Sequence, residues 1–513
     1  MSSSTAAAAG ATPRCTTTDV LIIGSGFSGI GMAISLRRSG REDFVIIDKA
    51  DEVGGTWREN TYPGCACDVP SHMYSFSYAL NPEWTRSYSQ QPEIWDYLRR
   101  VADDFDLRPK IHFRTEMTRA RWDESDQVWR ISTAQGVTYT ARVLVSGIGG
   151  LHIPNVPDLP GQDEFEGIAF HSARWRHDVD LTGRRVAVLG TGASAIQFVP
   201  EIARRAGQVT VYQRTAPWVL PKGDGPIPER RRAAFRTLPG AQRAYRNALY
   251  WSLEARALVF NGHPALVGGA ERLVSRHLER SVEDPGLRSR LVPDYRLGCK
   301  RVTLSNDYYP AFNRDNVDLV PSAVERLTLT GVVDADGVER DVDVVIYGTG
   351  FHVSDSFEYL DVVGRDGSEL REQFQKEGIE TYLNINVVNF PNFCFVLGPN
   401  SGLGHNSVVF MIEQQVAYVI RLLDEMDARG VRSVEVRPQA QDRYTAKVQT
   451  KLEKGIWSTG GCTSWYLDSK GRNRSIWPGF TFSYWWRTRT VDTDAYVWGL
   501  PVKERSGTHQ EGA

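Results

Sequence analysis

Nothing in the 513 residues offers a transmembrane helix, because no run of eighteen apolar residues occurs. The first 18 residues, rich in Ser, Ala and Thr, have neither a basic start nor a long apolar centre. They read as a disordered tail rather than a secretory leader. Cysteine is scarce. The six (Cys15, Cys65, Cys67, Cys299, Cys394, Cys462) include no Cys-x-x-Cys, which argues against the commonest redox dithiol and zinc spacings. Reduced thiols in a cytoplasmic protein, and no metal site, are expected. An excess of one charge is missing too: 60 Lys and Arg face 62 Asp and Glu, so nothing global points to nucleic acid or an acidic surface. What remains is an ordinary globular composition, 41% hydrophobic, over a length suited to about three domains.

Two β-α-β units stand out. Asp19-Val20-Leu21-Ile22-Ile23 is a buried-strand run that leads into Gly24-Ser25-Gly26-Phe27-Ser28-Gly29, then an apolar helix through about Arg38 and a strand ending at Asp48. Gly24, Gly26 and Gly29 permit a tight turn and close approach of a pyrophosphate to a helix N-terminus; Asp48 is placed to accept from ribose hydroxyls. The second unit opens with Arg185-Val186-Ala187-Val188-Leu189 and turns through Gly190-Thr191-Gly192-Ala193-Ser194-Ala195, with Ala195 where a third glycine often stands. Its second strand runs into Gln213-Arg214-Thr215 instead of an acid. A cation there complements a 2′-phosphate, so the first unit suits FAD and the second NADPH. Hydride can then pass from nicotinamide to flavin, and the chain reads as an enzyme.

Between the units lies Gly54-Gly55-Thr56-Trp57-Arg58-Glu59-Asn60-Thr61-Tyr62-Pro63-Gly64-Cys65-Ala66-Cys67-Asp68, read as an ordered loop, with Cys65 and Cys67 as small packing residues. Farther on, Phe165-Glu166-Gly167-Ile168-Ala169-Phe170-His171-Ser172-Ala173-Arg174-Trp175 fits Phe-x-Gly-x3-His-x3-Trp. Together with Lys300-Arg301 and the Asn306 to Asn313 stretch, these segments resemble the type I Baeyer–Villiger monooxygenases over roughly residues 19 to 500. Arg176 departs from the Pro or Asp usual in that family. The resemblance implies an NADPH- and O2-dependent flavin monooxygenase that forms a C4a-peroxyflavin and inserts oxygen beside a ketone carbonyl, giving an ester or lactone. It implies Arg301 and Asp68 as catalytic residues, Thr56, Trp57, Asp68, Tyr74 and Met117 as further FAD contacts, and Lys300 and Arg301 as NADP contacts. A fixed guanidinium suits the anionic adduct of such chemistry.

The fold expected is α/β: two Rossmann-like domains of glutathione-reductase-like architecture, with a helical insertion. Residues 19–160 form the first part of the FAD domain and 161–340 the NADPH domain, its insertion at about 226–291. Residues 341–513 form the second FAD part, entered by the strand at Asp343–Tyr347 and the Gly348-Thr349-Gly350 turn, where relatives carry Ala-Thr-Gly. A helix is expected to start near Asn406 or Ser407, and the aromatic tail reads as core or lid packing. His171 reads as a structural linker histidine, and His405 as a structural or flavin-side group. The rival readings are a flavin N- or S-monooxygenase and a non-catalytic flavin- or NADPH-binding protein; a pyridine-nucleotide disulfide oxidoreductase is disfavoured by the absent Cys dithiol. No spacing encodes the oligomeric state, or whether the ketone is linear, cyclic, aryl or terpenoid.

Overall fold

Short β-branched runs that end in glycine turns build the centres of two sheets, one mixed, with antiparallel pairs at 117–133 and 128–146, and one parallel throughout. The computed structural model describes residues 15–260, 264–353, 359–468 and 470–499. In chain order the strands of these sheets are β1 (Cys15–Ile23), β2 (Phe44–Ile47), β3 (Ile111–His112), β4 (Met117–Asp123), β5 (Val128–Thr133) and β6 (Thr138–Ser146), then β7 (Ile168–His171), β8 (Arg185–Leu189), β9 (Gln208–Tyr212), β10 (Val317–Val320), β11 (Val344–Tyr347), β12 (Val362–Val363) and β13 (Phe393–Phe395). The first sheet runs β12-β4-β5-β6-β1-β2-β3, and β13 also pairs with β6. Val20, Leu21 and Ile22 of β1 are buried on both faces, as a central parallel strand requires.

Two expectations change here. Residues 15–18 are not tail: they extend β1 and pair with Thr138–Ala141 of β6. Three consecutive threonines favour extended backbone, and nine-residue β6 presents partners for their peptide groups. Residues 1–14 lie outside the described residues. Secondly, β11 does not return to the first sheet. It pairs with β7 on one side and β8 on the other, in a second sheet of order β10-β9-β8-β11-β7. A uniformly apolar four-residue strand fits the centre of either sheet, so its sequence did not discriminate. The chain rejoins the first sheet at β12 and β13.

Helices follow the turns. α1 (Phe27–Arg38) follows the first glycine turn, α2 (Gln91–Asp104) comes after the Gly54–Asp68 loop, and α3 (Ala193–Ile202) follows the second glycine turn. Between β9 and β10 lies the helical insertion, α4 (Glu229–Thr237), α5 (Ala241–Phe260), α6 (Pro264–Ser281) and α7 (Pro285–Arg290). α8 (Val408–Ala428) starts where the Asn-Ser pair predicts, with the Ser407 hydroxyl accepting from Val409 N at 3.3 Å. α9 (Thr481–Thr488) packs on α8. The aromatic tail divides: Trp457, Tyr466, Trp477 and Tyr484 are core, whereas Phe482, Trp485 and Trp486 are exposed. No helix among the described residues is long and apolar enough to cross a membrane.

Candidate active site

The first glycine turn is built by close backbone approach. Gly24 has φ +93°, and a Cβ on Gly29 would sit 1.8 Å from the Gly24 carbonyl oxygen, so neither position admits a side chain. Gly26 caps α1 with no side chain over the helix's first N–H groups. Asp48 holds this turn: one oxygen accepts from Ser25 N at 2.7 Å and Ser25 Oγ at 2.6 Å, the other from Ala50 N at 2.8 Å. Its observed partners are therefore the protein's own turn, a role the sequence did not announce. Gly55 lies against Gly26, where a Cβ would meet Gly26 Cα at 3.1 Å, so the two glycine segments face each other.

The Gly54–Asp68 segment is an irregular loop with one helical turn, Thr56–Glu59, which the loop expectation had not included. Trp57 is buried and donates from Nε1 to Tyr74 Oη at 3.1 Å; burial pushes the Tyr74 phenol far above its ordinary range. Met117 opens β4, half-buried and opposite Thr133. Cys65 and Cys67 are buried, and burial pushes the Cys65 thiol up to about 12 and Cys67 higher. The loop's far end docks on α3. Gln197 Oε1 accepts from Tyr62 Oη at 3.0 Å and Ala66 N at 3.3 Å, while its Nε2 donates to Ala66 O at 2.9 Å. Arg174 pairs with Glu59 at 2.6 Å, and Trp175 packs on Phe198. One loop thus binds both sheets together.

The second turn repeats the first. Gly190 has φ +104° and Gly192 caps α3 without a side-chain bond; Ala193, Ser194 and Ala195 form its first turn. Thr191 Oγ1 donates to Thr215 O at 3.1 Å, and buried Gln213 donates to Arg290 O at 2.7 Å. Arg214 is exposed beyond β9. Burial first, and then the Arg214 charge, lower the Lys300 ammonium below its ordinary range, and its Nζ lies over the Tyr295 ring at 4.9 Å.

Arg301 meets Asp68 across 233 residues. Its Nε donates to Asp68 Oδ2 at 2.9 Å, Nη2 donates to the same oxygen, and Nη1 lies 3.5 Å from Leu403 O. The Asp68 charge raises the Arg301 guanidinium pKa further, so it stays a cation. Buried Tyr466 lies in the same field, its phenol pushed up to about 12 by burial.

Against this geometry, similarity decides the family. The chain is 48% identical to a Baeyer–Villiger monooxygenase of Pseudomonas aeruginosa over 93% of its length and 90% of that protein's. It is 47% identical to one of Streptomyces coelicolor over 95% and 94%. The chain belongs to the Baeyer–Villiger monooxygenases. It is thus a flavin monooxygenase and an oxidoreductase. Residues 21–224 also match the pyridine nucleotide-disulphide oxidoreductase family. The crystal structure of OTEMO in complex with FAD and NADP superposes with a TM-score of 0.85 at 28% identity, over 94% of this chain and 99% of that one.

Several features of this Baeyer–Villiger monooxygenase were not visible in its sequence. Cys299 and Cys462 form a disulfide, which overturns the expectation that all six thiols are reduced; 163 residues separate the pair, so no local spacing announces it. His171 caps its own turn, with Nδ1 accepting from Ala173 N at 3.1 Å, and burial lowers it to about 4. His405 lies 3.3 Å from Glu254 on α5; Glu254 also accepts from Asn406 Nδ2 at 2.8 Å and from Thr481 N and Oγ1 at 3.0 and 2.7 Å. Arg176, the departure from the family pattern, is an exposed surface partner of Asp178.

Proposed function

We propose that this monooxygenase converts a ketone to an ester or lactone with FAD and NADPH, and that Arg301 acts directly on the reacting oxygen atoms. The side-chain-free glycine cradles at Gly24 to Gly29 and Gly190 to Gly192 fit two pyrophosphates. On this reading residues 15–160, with the part of the chain from about 360, hold FAD through Gly24, Gly26, Gly29, Asp48, Thr56, Trp57, Asp68, Tyr74 and Met117. The second sheet holds NADPH through the turn at Gly190–Ala195, Gln213, Arg214, Thr215, Lys300 and Arg301. Bound FAD, reduced by NADPH, supplies the activation of O2.

The protein's own part is electrostatic. As oxygen adds to the carbonyl, negative charge collects on the carbonyl oxygen, and a guanidinium fixed beforehand stabilises it without reorganising. Asp68 supplies that fixation from one carboxylate oxygen, which leaves Arg301 with further N–H groups to donate. The Arg301–Asp68 pair is the observation that carries the proposal. Arg214 and Lys300 favour the 2′-phosphate, so Arg214→Ala should raise KM for NADPH about tenfold and leave KM for NADH unchanged. The protein would work in the cytoplasm, on a small-molecule ketone and O2.

The deciding experiment supplies ¹⁸O₂, FAD and NADPH with a panel of ketones, one sulfide and one amine. Esters that carry one labelled oxygen are expected. Sulfoxide or N-oxide alone would move the protein to the rival oxygenase chemistry, and no oxygenated product at all would count against catalysis.

A further inference from the structure

The Cys299–Cys462 disulfide joins the turn that carries Lys300 and Arg301 to the segment that carries Tyr466. Around it Trp218, Tyr295, Leu297 and Cys299 form a small apolar cluster of their own, separate from the main core, with Cys462 packed on its edge. Arg296 N also donates to Gly460 O at 3.0 Å across the same two segments. Gly460 belongs to the fit, since a Cβ there would meet Cys299 Cβ at 2.6 Å.

The two sulfurs are unequally placed. Cys299 is 1% exposed, whereas Cys462 is only half-buried and follows Gly461, which has open space where a side chain would stand. Cys462 is thus the more accessible of the two, the one an incoming thiolate attacks, and Cys299 is the leaving group. Of the other thiols, Cys65, Cys67 and Cys394 are buried with raised pKa values, and Cys15, exposed at the start of β1, lies 3.9 Å from Thr140 Oγ1 and has no cysteine partner among the described residues. Disulfides of cytoplasmic proteins, moreover, are usually transient and catalytic or redox-sensing.

We propose that Cys299–Cys462 is a thiol-redox modification site, opened by a dithiol reductant and closed by peroxide, which sets how firmly the Arg301 turn is held. In opening, one thiolate of the reductant attacks Cys462 Sγ, the S–S bond breaks, and Cys299 leaves and takes a proton. The second thiol of the reductant displaces Cys462, so two electrons and two protons pass to the pair and the reductant ends as a disulfide. In closing, peroxide oxidises Cys462 to a sulfenic acid with loss of water, and Cys299 displaces a second water. The closed state keeps Arg301 on Asp68 beside Tyr466; the open state frees the segment that carries Tyr466. The effect on turnover rests on the reading of Arg301 as a catalytic residue.

The test uses the full-length, FAD-loaded protein purified in air, with dithiothreitol as the probe. Alkylation under denaturing conditions and peptide mass mapping should find Cys299 and Cys462 in one cross-linked peptide pair, and both alkylated after reduction. Ester formed per NADPH should fall about tenfold on reduction and return with dilute peroxide. C462S, and C299A as a second variant checked for FAD content, should stay in the low state and ignore dithiothreitol, while C15S keeps the full response. Limited proteolysis between residues 455 and 475 should run about fivefold faster in the reduced protein. Alkylation of both cysteines before reduction would overturn the site, and so would equal ester yield in the linked and reduced forms. Should no state make ester, the cleavage rates decide: unequal rates keep the clamp and count only against the ketone reading, and equal rates remove the clamp.

Discussion

Arg301 spends two N–H groups on one Asp68 oxygen and makes a long contact to Leu403 O besides; on the proposed reading its remaining N–H groups serve the reacting oxygens. Arg301→Ala should still bind FAD and be reduced by NADPH, yet lose ester formation by about 10²–10³, the usual cost of one oxyanion donor; stopped-flow reduction and product analysis separate the two. A quieter pair sits in the second glycine turn. Ala195 replaces a glycine, and Gly348 replaces the alanine of relatives; a Cβ on Gly348 would meet Ala195 Cβ at 3.3 Å. The same Cβ would also lie 3.3 Å from Leu189 O, so Ala195 is one of two close neighbours. Gly348→Ala should therefore destabilise by about 1 kcal/mol, and Ala195→Gly added to it should recover part of that in a double-mutant denaturation cycle. Independent, additive costs would show that the two sites do not pack as one.

At the scale of elements, α5 of the insertion reaches out to loops beyond it through buried polar groups. Arg246 of α5 donates to His72 O at 2.5 Å, and Glu254, one helical face along, collects donors from His405, Asn406 and Thr481. Glu254 is 2% exposed, and these hydrogen bonds more than offset the upward push of burial, so its carboxyl lies below the ordinary range. It fastens the loop before α8 and the start of α9 to the insertion. Glu254→Ala leaves those donors without their acceptor. Chemical denaturation should register a loss of about 3 kcal/mol, with Glu254→Gln losing less because its amide oxygen still accepts. Unchanged stability in the alanine variant would mean that the insertion is held by its apolar contacts alone.

For the whole molecule, acid is the sensitive direction. His72 and His171 are buried and lowered from 6.5 to about 4, chiefly by burial. Between those values the unfolded chain binds protons that the folded one refuses, so stability rises with pH through this window and falls as pH drops from about 6.5 to 4. Each histidine contributes up to about 3 kcal/mol of that slope. Thermal unfolding midpoints measured across the window should decline toward acid, and His171→Asn, whose amide oxygen can take over the Ala173 N–H, should flatten the decline. A slope identical to the parent's would exclude His171 from it.

Both dinucleotide units, the loop, the insertion and the start of α8 were legible in the sequence because each is written in residues close together. Glycine turns, apolar strand runs and N-cap residues act over a few positions, where steric and hydrogen-bond rules apply directly. The sheet that receives β11 was not legible, since four buried apolar residues suit either. Nor were the Gln197 lock on Ala66, the Glu254 cluster, or the Cys299–Cys462 bond, each made between segments more than 100 residues apart. The sequence by itself determined which local pieces exist and which family they compose. Only the tertiary structure decided which side chains meet, because closing so long a loop costs nearly the same entropy for many partners, and packing makes the choice.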